Sequence, residues 1–306
     1  MLDVCICTHN PQRELLNVVV TAIARQTLGK EKYQVWVIDN CSNPQLTSAD
    51  FAPLDAAGVI YKILWEPRLG LSYARWCAIE ATQNEVIVFV DDDNELVDDY
   101  LEKVVEIIEN HPEIGCFGGK LLLPPETVCP AWMHPLLPYL GIRDFGNEAI
   151  SSSTNHWGEW EPAGAGVVVR RPVLNLYLKR LQALPTSASL GRKGRKGLFS
   201  SEDSLMVRGA YEFGLQCSYQ PQLMLKHHLQ PNRFKFGYLF KLMYFYGRSY
   251  VILERSLGNN PPVLGVRGAI QSIIERAKIR TCDNFWHSLC LIAWDVGYFQ
   301  ELRFGQ

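Results

Sequence analysis

Short apolar runs alternate with helical patterns through the first 120 residues, and this alternation limits the fold more strictly than any other feature. Between the runs, apolar residues recur every three to four positions, as they do on the buried side of a helix. Strands that alternate with helices predict an α/β protein built on a doubly wound, mostly parallel sheet. The predicted strands are Leu2–Cys7, Tyr33–Ile38, Val59–Trp65, Val86–Val90 and Ile114–Gly119.

The sequence changes character at Lys226. From Lys226 to Arg280 there are ten Lys and Arg residues but only two acids, and aromatic residues are frequent. We expect residues 226–306 to form a basic, aromatic helical extension. Two interpretations stay open and are compatible: helices that lie on an anionic membrane surface, or a helical subdomain packed on the preceding domain.

Composition argues against several classes of protein. The formal net charge is −2, which gives little support to nucleic-acid binding. Uncharged apolar runs of about 18 residues are missing, so no spanning helix is expected. The nine cysteines show no C-x-x-C spacing, and the N-terminal apolar run is too short for a signal peptide. These features predict a cytoplasmic protein with reduced thiols.

Three consecutive acids, Asp91-Asp92-Asp93, follow the apolar run Val86–Val90 directly. Adjacent carboxylates repel one another, and a divalent cation such as Mg²⁺ or Mn²⁺ would relieve that repulsion. In extended backbone Asp91 and Asp93 point the same way. The alternative is a solvated, Asp-rich turn, which the buried strand before it disfavours.

Five motifs in chain order resemble glycosyltransferase family 2, inverting nucleotide-sugar transferases of the GT-A fold. The resemblance implies a GT-A catalytic domain over residues 1–225, with a nucleotide-sugar half at about 1–120 and an acceptor half at about 121–225. The motifs are Thr8-His9-Asn10, Val37-Ile38-Asp39-Asn40-Cys41-Ser42, Arg68-Leu69-Gly70-Leu71-Ser72-Tyr73-Ala74-Arg75, Asp91-Asp92-Asp93 and Glu202-Asp203.

The resemblance implies that the first four motifs bind the donor. Asp39 would hydrogen-bond the base, usually uracil, so a UDP-sugar is the expected donor. Asp91 would contact the ribose or the metal, and Asp93 would bind Mn²⁺ or Mg²⁺ under the diphosphate. Further nucleotide contacts are expected from Thr8, Asn10, Arg68, Arg75 and Asp92.

Two departures from the family pattern concern recognition of the base and the ribose. Ser42 is followed by Asn43-Pro44 where the family usually continues Ser-x-Asp. Arg68 and Trp76 replace the usual asparagines of the third motif. The donor nucleotide is therefore left open between UDP and GDP.

The resemblance implies that Asp203 is the general base. Inverting transfer needs one carboxylate to take the proton of the acceptor hydroxyl as it attacks C1, and positive charge on the departing diphosphate. Glu202 is expected on the acceptor side. The alternative is ordinary helix capping at Ser201, with acids favoured in the first turn.

Weaker signals concern the metal and the acceptor. Some relatives complete the metal site with a histidine. At most one of His227 and His228 can do so here, because adjacent side chains in extended backbone diverge. We expect His228 to be the metal ligand. Trp157 and Trp160 are expected either to stack on a sugar or to pack in the core. The basic cluster 192–196 is expected either to close over a phosphate group or to be a solvated loop.

The expected acceptor is a growing glycan or a lipid-linked glycan at the cytoplasmic face of a membrane. Three rival functions are disfavoured. A nucleotidyltransferase is disfavoured because Thr8-His9-Asn10-Pro11 stands where a glycine-rich phosphate loop would be, and the missing G-x-G-x-x-G disfavours a dinucleotide-dependent oxidoreductase. A non-catalytic protein of the same fold is disfavoured by the presence of both Asp93 and Asp203.

Overall fold

The predicted alternation of strands and helices is confirmed. The computed structural model describes residues 1–183, 190–192, 197–261, 271, 274 and 285–304. The strands are β1 (Leu2–Thr8), β2 (Tyr33–Asp39), β3 (Tyr61–Trp65), β4 (Val86–Asp91), β5 (Asn94–Leu96), β6 (Ile114–Leu122), β7 (Ile150–Ser152), β8 (Val168–Arg170) and β9 (Gln216–His227). The helices are α1 (Arg13–Ala24), α2 (Ala52–Ala57), α3 (Leu71–Ala81), α4 (Tyr100–Asn110), α5 (Arg171–Ala183), α6 (Glu202–Val207), α7 (Phe236–Ser256) and α8 (Phe285–Phe304).

All the strands belong to one sheet, which has two different halves. Its order is β3-β2-β1-β4-β8-β6-β9-β5, and β7 pairs with β9. Strands β3, β2, β1 and β4 are parallel. β8 is antiparallel to both of its neighbours, β6 and β9 are parallel, and β5 and β7 run antiparallel to β9. The sheet is thus mostly parallel, as predicted, but mixed beyond β4.

The alternation of side chains along β1 builds two cores. Val4 and Ile6 face a cluster with α1, α2 and α4, whereas Cys5 and Cys7 face a second cluster with α3, α5 and α6. All seven residues of β1 are buried, as expected for a parallel strand covered on both faces. This double cover fixes where β1 and β4 end, and therefore where the acids after β4 emerge.

The C-terminal helices pack onto the sheet domain through a third core. Apolar residues of α7 and α8 join those of a 3-10 segment, Ala131–Leu140. The two helices cross closely: a Cβ atom on Gly247 would lie 1.9 Å from the carbonyl oxygen of Trp294, and one on Gly297 would lie 1.9 Å from that of Tyr244. The described part of the extension is therefore helical and packed, and β9 ends two residues beyond the predicted boundary at 225.

One helix start differs from the prediction. Ser201 precedes α6, but its side chain makes no capping hydrogen bond and its backbone is left-handed, with φ of 68°. Ordinary capping by Ser201 therefore does not explain the acids at the start of α6. Within the described ranges, no helix has the length and apolar content needed to cross a membrane.

Candidate active site

The carboxyl ends of β1 and β4 open into a cleft of 1580 Å³. These strands are parallel neighbours, with Cys7 paired to Asp91, so the residues that follow them emerge side by side. The start of α6, the inner sides of α7 and α8, and the segment Ala131–Leu140 complete the cleft. A site for one small ligand usually measures roughly 300–1,000 Å³. The cleft therefore has room for more than one small ligand.

The loop after β1 lies on the cleft and is tied to its neighbours. The Thr8 hydroxyl donates to the Asp92 carboxylate. Asn10, with a left-handed backbone at φ of 51°, accepts from the amide of Asn43 at 2.8 Å and donates its own amide to the Ser42 hydroxyl at 2.9 Å. Both Thr8 and Asn10 line the cleft, which is the position expected for nucleotide contacts.

Asp39 is buried beneath this wall of the cleft and does not line it. Its carboxylate accepts from the backbone amides of Ser42 at 3.0 Å and Leu46 at 2.8 Å. Asp39 therefore fixes the shape of the loop after β2, and its contact with a base stays a prediction. The neighbouring Asn40 lines the cleft instead.

Arg68 and Arg75 have very different surroundings. Arg68 pairs with Glu66 at 2.8 Å and lies over the rings of Tyr73 and Trp76, outside the cleft lining. Arg75 lines the cleft but is 1% exposed, and it pairs with Glu202 at 2.5 Å. Burial alone would lower the pKa of Arg75, but the carboxylates of Glu202 and Asp91 raise it above its usual value. Arg75 is therefore a permanent buried cation.

The three acids after β4 have unequal environments. Burial raises the pKa of Asp91, although Arg75 opposes the shift. Burial and Asp93 raise the pKa of Asp92 to about 7. Burial would also raise the pKa of Asp93, but His227, Arg233 and Arg192 together outweigh it and lower that pKa below the usual range. Asp93 is thus the acid best held as a carboxylate.

The histidine beside the acids is His227, which corrects the choice of His228. His227 Nε2 lies 3.5 Å from Asp93 Oδ2, whereas His228 Nε2 lies 2.8 Å from Glu95 Oε2. The reason is strand register: β9 pairs antiparallel with β5, Asn94 opposite His227, and successive side chains of β9 alternate between the two sides of the sheet. At most one of the two histidines faces the acids, as predicted.

These side chains fit a divalent cation that also binds substrate phosphates. Among the described residues, no three His, Cys, Asp or Glu side chains form a complete metal site. Mg²⁺ and similar ions, however, are often held by one or two carboxylates plus substrate phosphates. Asp91 and Asp93 line the cleft and supply such oxygens, and Nε2 of His227 lies beside the Asp93 carboxylate. In the described chain, Nδ1 of His227 is buried without a hydrogen-bond partner.

Asp203 and Glu202 begin α6 and face different environments. Asp203 lines the cleft; one of its oxygens accepts from the Gly164 amide at 3.0 Å and the other from the Ser204 amide at 2.9 Å. Glu202 also reaches the cleft lining but is buried, and its carboxylate accepts from the Tyr177 hydroxyl at 3.1 Å. Burial raises the pKa of Glu202 to about 7 although Arg75 opposes the shift. Asp203 is thus oriented into the cleft, while Glu202 anchors Arg75.

The two predicted acceptor tryptophans separate. Trp157 is 60% exposed and lines the cleft, so its ring is available for stacking on a sugar. Trp160 packs into the core beside α6, with its ring 5.0 Å from that of His156, and lies outside the lining. The structure therefore leaves Trp157 as the candidate for acceptor binding.

A buried ionic network beside Asp203 was not anticipated from the sequence. Arg208 donates to Glu161 at 2.8 Å and to Glu254 of α7 at 3.2 Å. Glu161 also accepts from the hydroxyl of Ser204, next to Asp203, at 2.6 Å. Because Glu161 and Arg208 are each 3% exposed, this network fixes the start of α6 relative to α7.

Two arginines opposite the acids complete the site. Arg192 and Arg233 line the cleft, and both lower the pKa of Asp93. Arg192 belongs to the basic cluster noted in the sequence, whose residues 193–196 lie outside the described part of the chain. Arg233 stands just before α7 and was not singled out, because an isolated arginine in a basic segment carries no local signal.

Comparisons with known proteins show similarity to glycosyltransferases. Residues 3–127 match the family described as Glycosyl transferase family 2. Over 264 residues the chain is 25% identical to a protein of Haloferax volcanii named glucosyl-dolichyl phosphate glucuronosyltransferase, and the match covers 83% of this chain and 77% of that protein. The profile match covers β1 to β6, which carry the first four motifs.

Two solved structures are similar over the whole chain. The mannosyltransferase PcManGT from Pyrobaculum calidifontis, in complex with GDP-Man and Mn²⁺, gives a TM-score of 0.55 at 13% identity and covers 100% of this chain and 87% of that one. S. aureus TarS 1–349 with UDP-GlcNAc gives 0.54 at 14% identity, covering 100% of this chain and 92% of that one. A third structure, of a longer S. aureus TarS chain, gives a TM-score of 0.53, and the match covers 99% of this chain but only 55% of the TarS chain. The shared architecture is the GT-A fold, as predicted.

Proposed function

We propose that this chain, whose residues 3–127 match Glycosyl transferase family 2, transfers a sugar, with inversion at C1, from a nucleoside-diphosphate donor to an acceptor hydroxyl. The observation that carries this proposal is the arrangement of one cleft, which is lined both by Asp91 to Asp93 after β4 and by Asp203 at the start of α6. The first group suits a diphosphate with its cation, and the second suits proton removal.

The donor is expected along the ends of β1 and β2. Thr8, Asn10 and Asn40 line this part of the cleft, and Asp39 holds the loop between them in shape. A UDP-sugar is our first choice. The solved relatives bind UDP-GlcNAc in one case and GDP-Man in the other, so GDP-sugars are the necessary comparison in any test.

Asp91, Asp93 and His227 would hold Mn²⁺ or Mg²⁺, which supplies positive charge to the departing diphosphate when it is bound. A structural relative that contains GDP-Man together with Mn²⁺ supports this choice. Arg192 and Arg233, on the same cleft, are suited to bind the phosphate oxygens directly. The leaving group would thus face fixed cations on two sides.

Asp203 would act as the general base. As the acceptor oxygen bonds to C1, the bond from C1 to the diphosphate oxygen breaks with its electron pair, and the proton of the acceptor hydroxyl passes to Asp203. The amide of Gly164 orients the carboxylate at 3.0 Å. The carbonyl oxygen of the same Gly164 accepts from Arg75 at 3.3 Å. Gly164 therefore links Asp203 to the buried guanidinium of Arg75.

The acceptor is proposed to be a glycan or a lipid-linked sugar. The protein would act at the cytoplasmic face of a membrane. The name of the Haloferax volcanii relative describes a sugar carried on dolichyl phosphate as its acceptor. Trp157, exposed at the cleft, would stack on the acceptor sugar.

The test is transfer from UDP- and GDP-sugars to lipid-phosphate-linked monosaccharides, with the anomeric configuration of the product read by NMR. We expect inversion, and an Asp203→Asn variant should be slower by roughly 10²–10⁴-fold with UDP binding unchanged. Asp99→Asn, which changes a half-exposed acid at the start of α4, is the matched control and should be as active as the wild type. Retention of configuration, or full activity of Asp203→Asn, would contradict the proposed mechanism.

A further inference from the structure

Five aromatic side chains form a connected cluster on the surface where α7 and α8 begin, which we call the aromatic face: Trp132, Phe236, Phe240, Phe285 and Trp286. The Trp286 ring lies 4.8 Å from that of Phe236, 5.5 Å from Phe285 and 5.9 Å from Trp132, and Phe236 lies 5.7 Å from Phe240. Phe285 is 63% exposed, and Phe240 and Trp286 are each 41% exposed. A contiguous apolar patch of this kind usually marks an interaction surface.

The three segments that form the aromatic face carry charges of one sign only. These segments, residues 128–140, 231–250 and 285–294, contain no Asp or Glu. Lys235 and Lys241 are exposed beside Phe236 and Phe240, and Arg233 is half-buried next to them. The face therefore combines exposed aromatic rings with positive charge, which favours an anionic partner with an apolar interior.

The aromatic face borders the cleft. Arg233 and His287, which are near neighbours of Phe236 and Trp286 in sequence, line the cleft. The ring of Tyr139, which also lines it, lies 6.4 Å from that of His287. A partner on this face would consequently lie at the entrance to the part of the cleft formed by α7, α8 and residues 131–140.

We propose that the aromatic face docks the protein on an anionic lipid surface. Tryptophan and phenylalanine rings prefer the boundary between head groups and acyl chains, and lysines beside them are attracted to anionic lipids. No described helix could cross the bilayer, so binding would be interfacial. An acceptor carried on a lipid would then enter the cleft directly from the bound membrane. This last step rests on the proposed function.

The test is co-sedimentation of the full chain with vesicles of phosphatidylcholine, with and without about 30% phosphatidylserine. We expect binding to the anionic vesicles that weakens as salt is raised. Each neutralised lysine should weaken binding about fivefold, so Lys235→Gln with Lys241→Gln should lower it about 25-fold. Phe240→Ser with Phe285→Ser should lower it at least tenfold.

Matched controls and a second readout make each outcome decisive. Phe213→Ser removes an aromatic ring that is 49% exposed outside the face, and Lys62→Gln removes an exposed lysine; both should bind vesicles as the wild type does. UDP binding measured on the same preparations reports the donor site independently, so loss of docking and loss of the proposed function are distinguishable. Equal sedimentation with neutral and anionic vesicles, or unchanged binding of the face variants, would overturn the proposal. Light scattering that shows a wild-type dimer dissociated by Phe240→Ser with Phe285→Ser would assign the face to a second copy instead.

Discussion

The proposed donor half (residues 1–120) and the proposed acceptor half (residues 121–225) differ in how their candidate site residues are brought together. In the donor half, the acids and polar side chains follow directly from the ends of parallel strands, and nearby loops tie them in place. In the acceptor half, Asp203 depends on the Gly164 amide, and α6 is held by the network of Glu161, Arg208 and Glu254. The donor site is thus set locally, whereas the acceptor site depends on packing between distant segments. Changes in the acceptor half should therefore reduce transfer more than they reduce nucleotide binding.

The largest effect on stability is expected from Arg208→Met. Removing this arginine leaves the buried Glu161 carboxylate and the half-buried Glu254 carboxylate without their cation, which typically costs about 3–5 kcal/mol of unfolding free energy. Urea unfolding measures this loss, and calorimetry at low temperature should still detect UDP binding by the folded fraction.

Arg25→Met is the matched control for that change. Arg25 pairs with Asp98 at 3.5 Å, and both side chains are more than half exposed, so its loss should cost at most about 1 kcal/mol. Equal effects of the two variants would show that the network does not hold the acceptor half together.

Glu202 lies on the seam between the halves and should make stability depend on pH. Its pKa is raised to about 7 in the folded protein by burial, against which Arg75 acts, and it is about 4.3 in an unfolded chain. The folded state therefore binds the proton of Glu202 more tightly than the unfolded chain does. The contribution of this proton to the free energy of unfolding is complete below about pH 4 and is lost as the pH rises to about 7.

Glu202→Gln removes this titration. The unfolding free energy of the wild type, relative to the variant, should fall by about 3 kcal/mol between about pH 4 and pH 7. Urea unfolding at a series of pH values, with a chelator present, measures the difference. A difference independent of pH would show that Glu202 is not protonated in the folded protein.

Gly247→Ala should open the crossing of α7 and α8. The added methyl group would lie 1.9 Å from the Trp294 carbonyl oxygen, which forces the helices apart at a cost of about 1–3 kcal/mol. Thermal unfolding and transfer assays should both report the change, with UDP binding unaffected. Gly237→Ala, in the same helix, meets no atom within 4 Å and should be neutral or stabilising.

Trp157→Ala should give the smallest effect. Loss of one stacking contact of about 1 kcal/mol should raise KM for the acceptor about fivefold, with kcat and donor KM unchanged. Steady-state kinetics with the acceptor varied measure this, with Phe213→Ala as the exposed aromatic control. A change in donor KM would place Trp157 with the donor half instead.

The donor half could be predicted from the sequence to a large extent. Buried strands covered on both faces appear as continuous apolar runs, so the end of β4, and with it Asp91 to Asp93, was located correctly. Thr8, expected directly after the first strand, is the last residue of β1 and lines the same cleft as Asp91 to Asp93. Asp39 shows the limit: its position at the end of β2 was correct, but the direction of its side chain depends on the loop that encloses it.

The acceptor half was less predictable because its geometry depends on long-range pairing. The choice between His227 and His228 required the register of β9 on β5, which no local pattern gives. Arg75 was expected beside the nucleotide, but its buried pairing with Glu202 arises only when α3 meets α6. Arg233 joins the cleft only because of how the start of α7 packs.

The central claim is that the acids after β4 and His227 form a metal-dependent site for a nucleoside diphosphate. The most direct measurement is calorimetric titration of UDP, and then GDP, with and without Mn²⁺, on the wild type and on Asp93→Ala, His227→Ala and His228→Ala. We predict binding of one nucleotide that needs Mn²⁺, is abolished in Asp93→Ala, is weakened in His227→Ala and is unchanged in His228→Ala. Binding that is independent of the metal, or that persists in Asp93→Ala, would contradict the account.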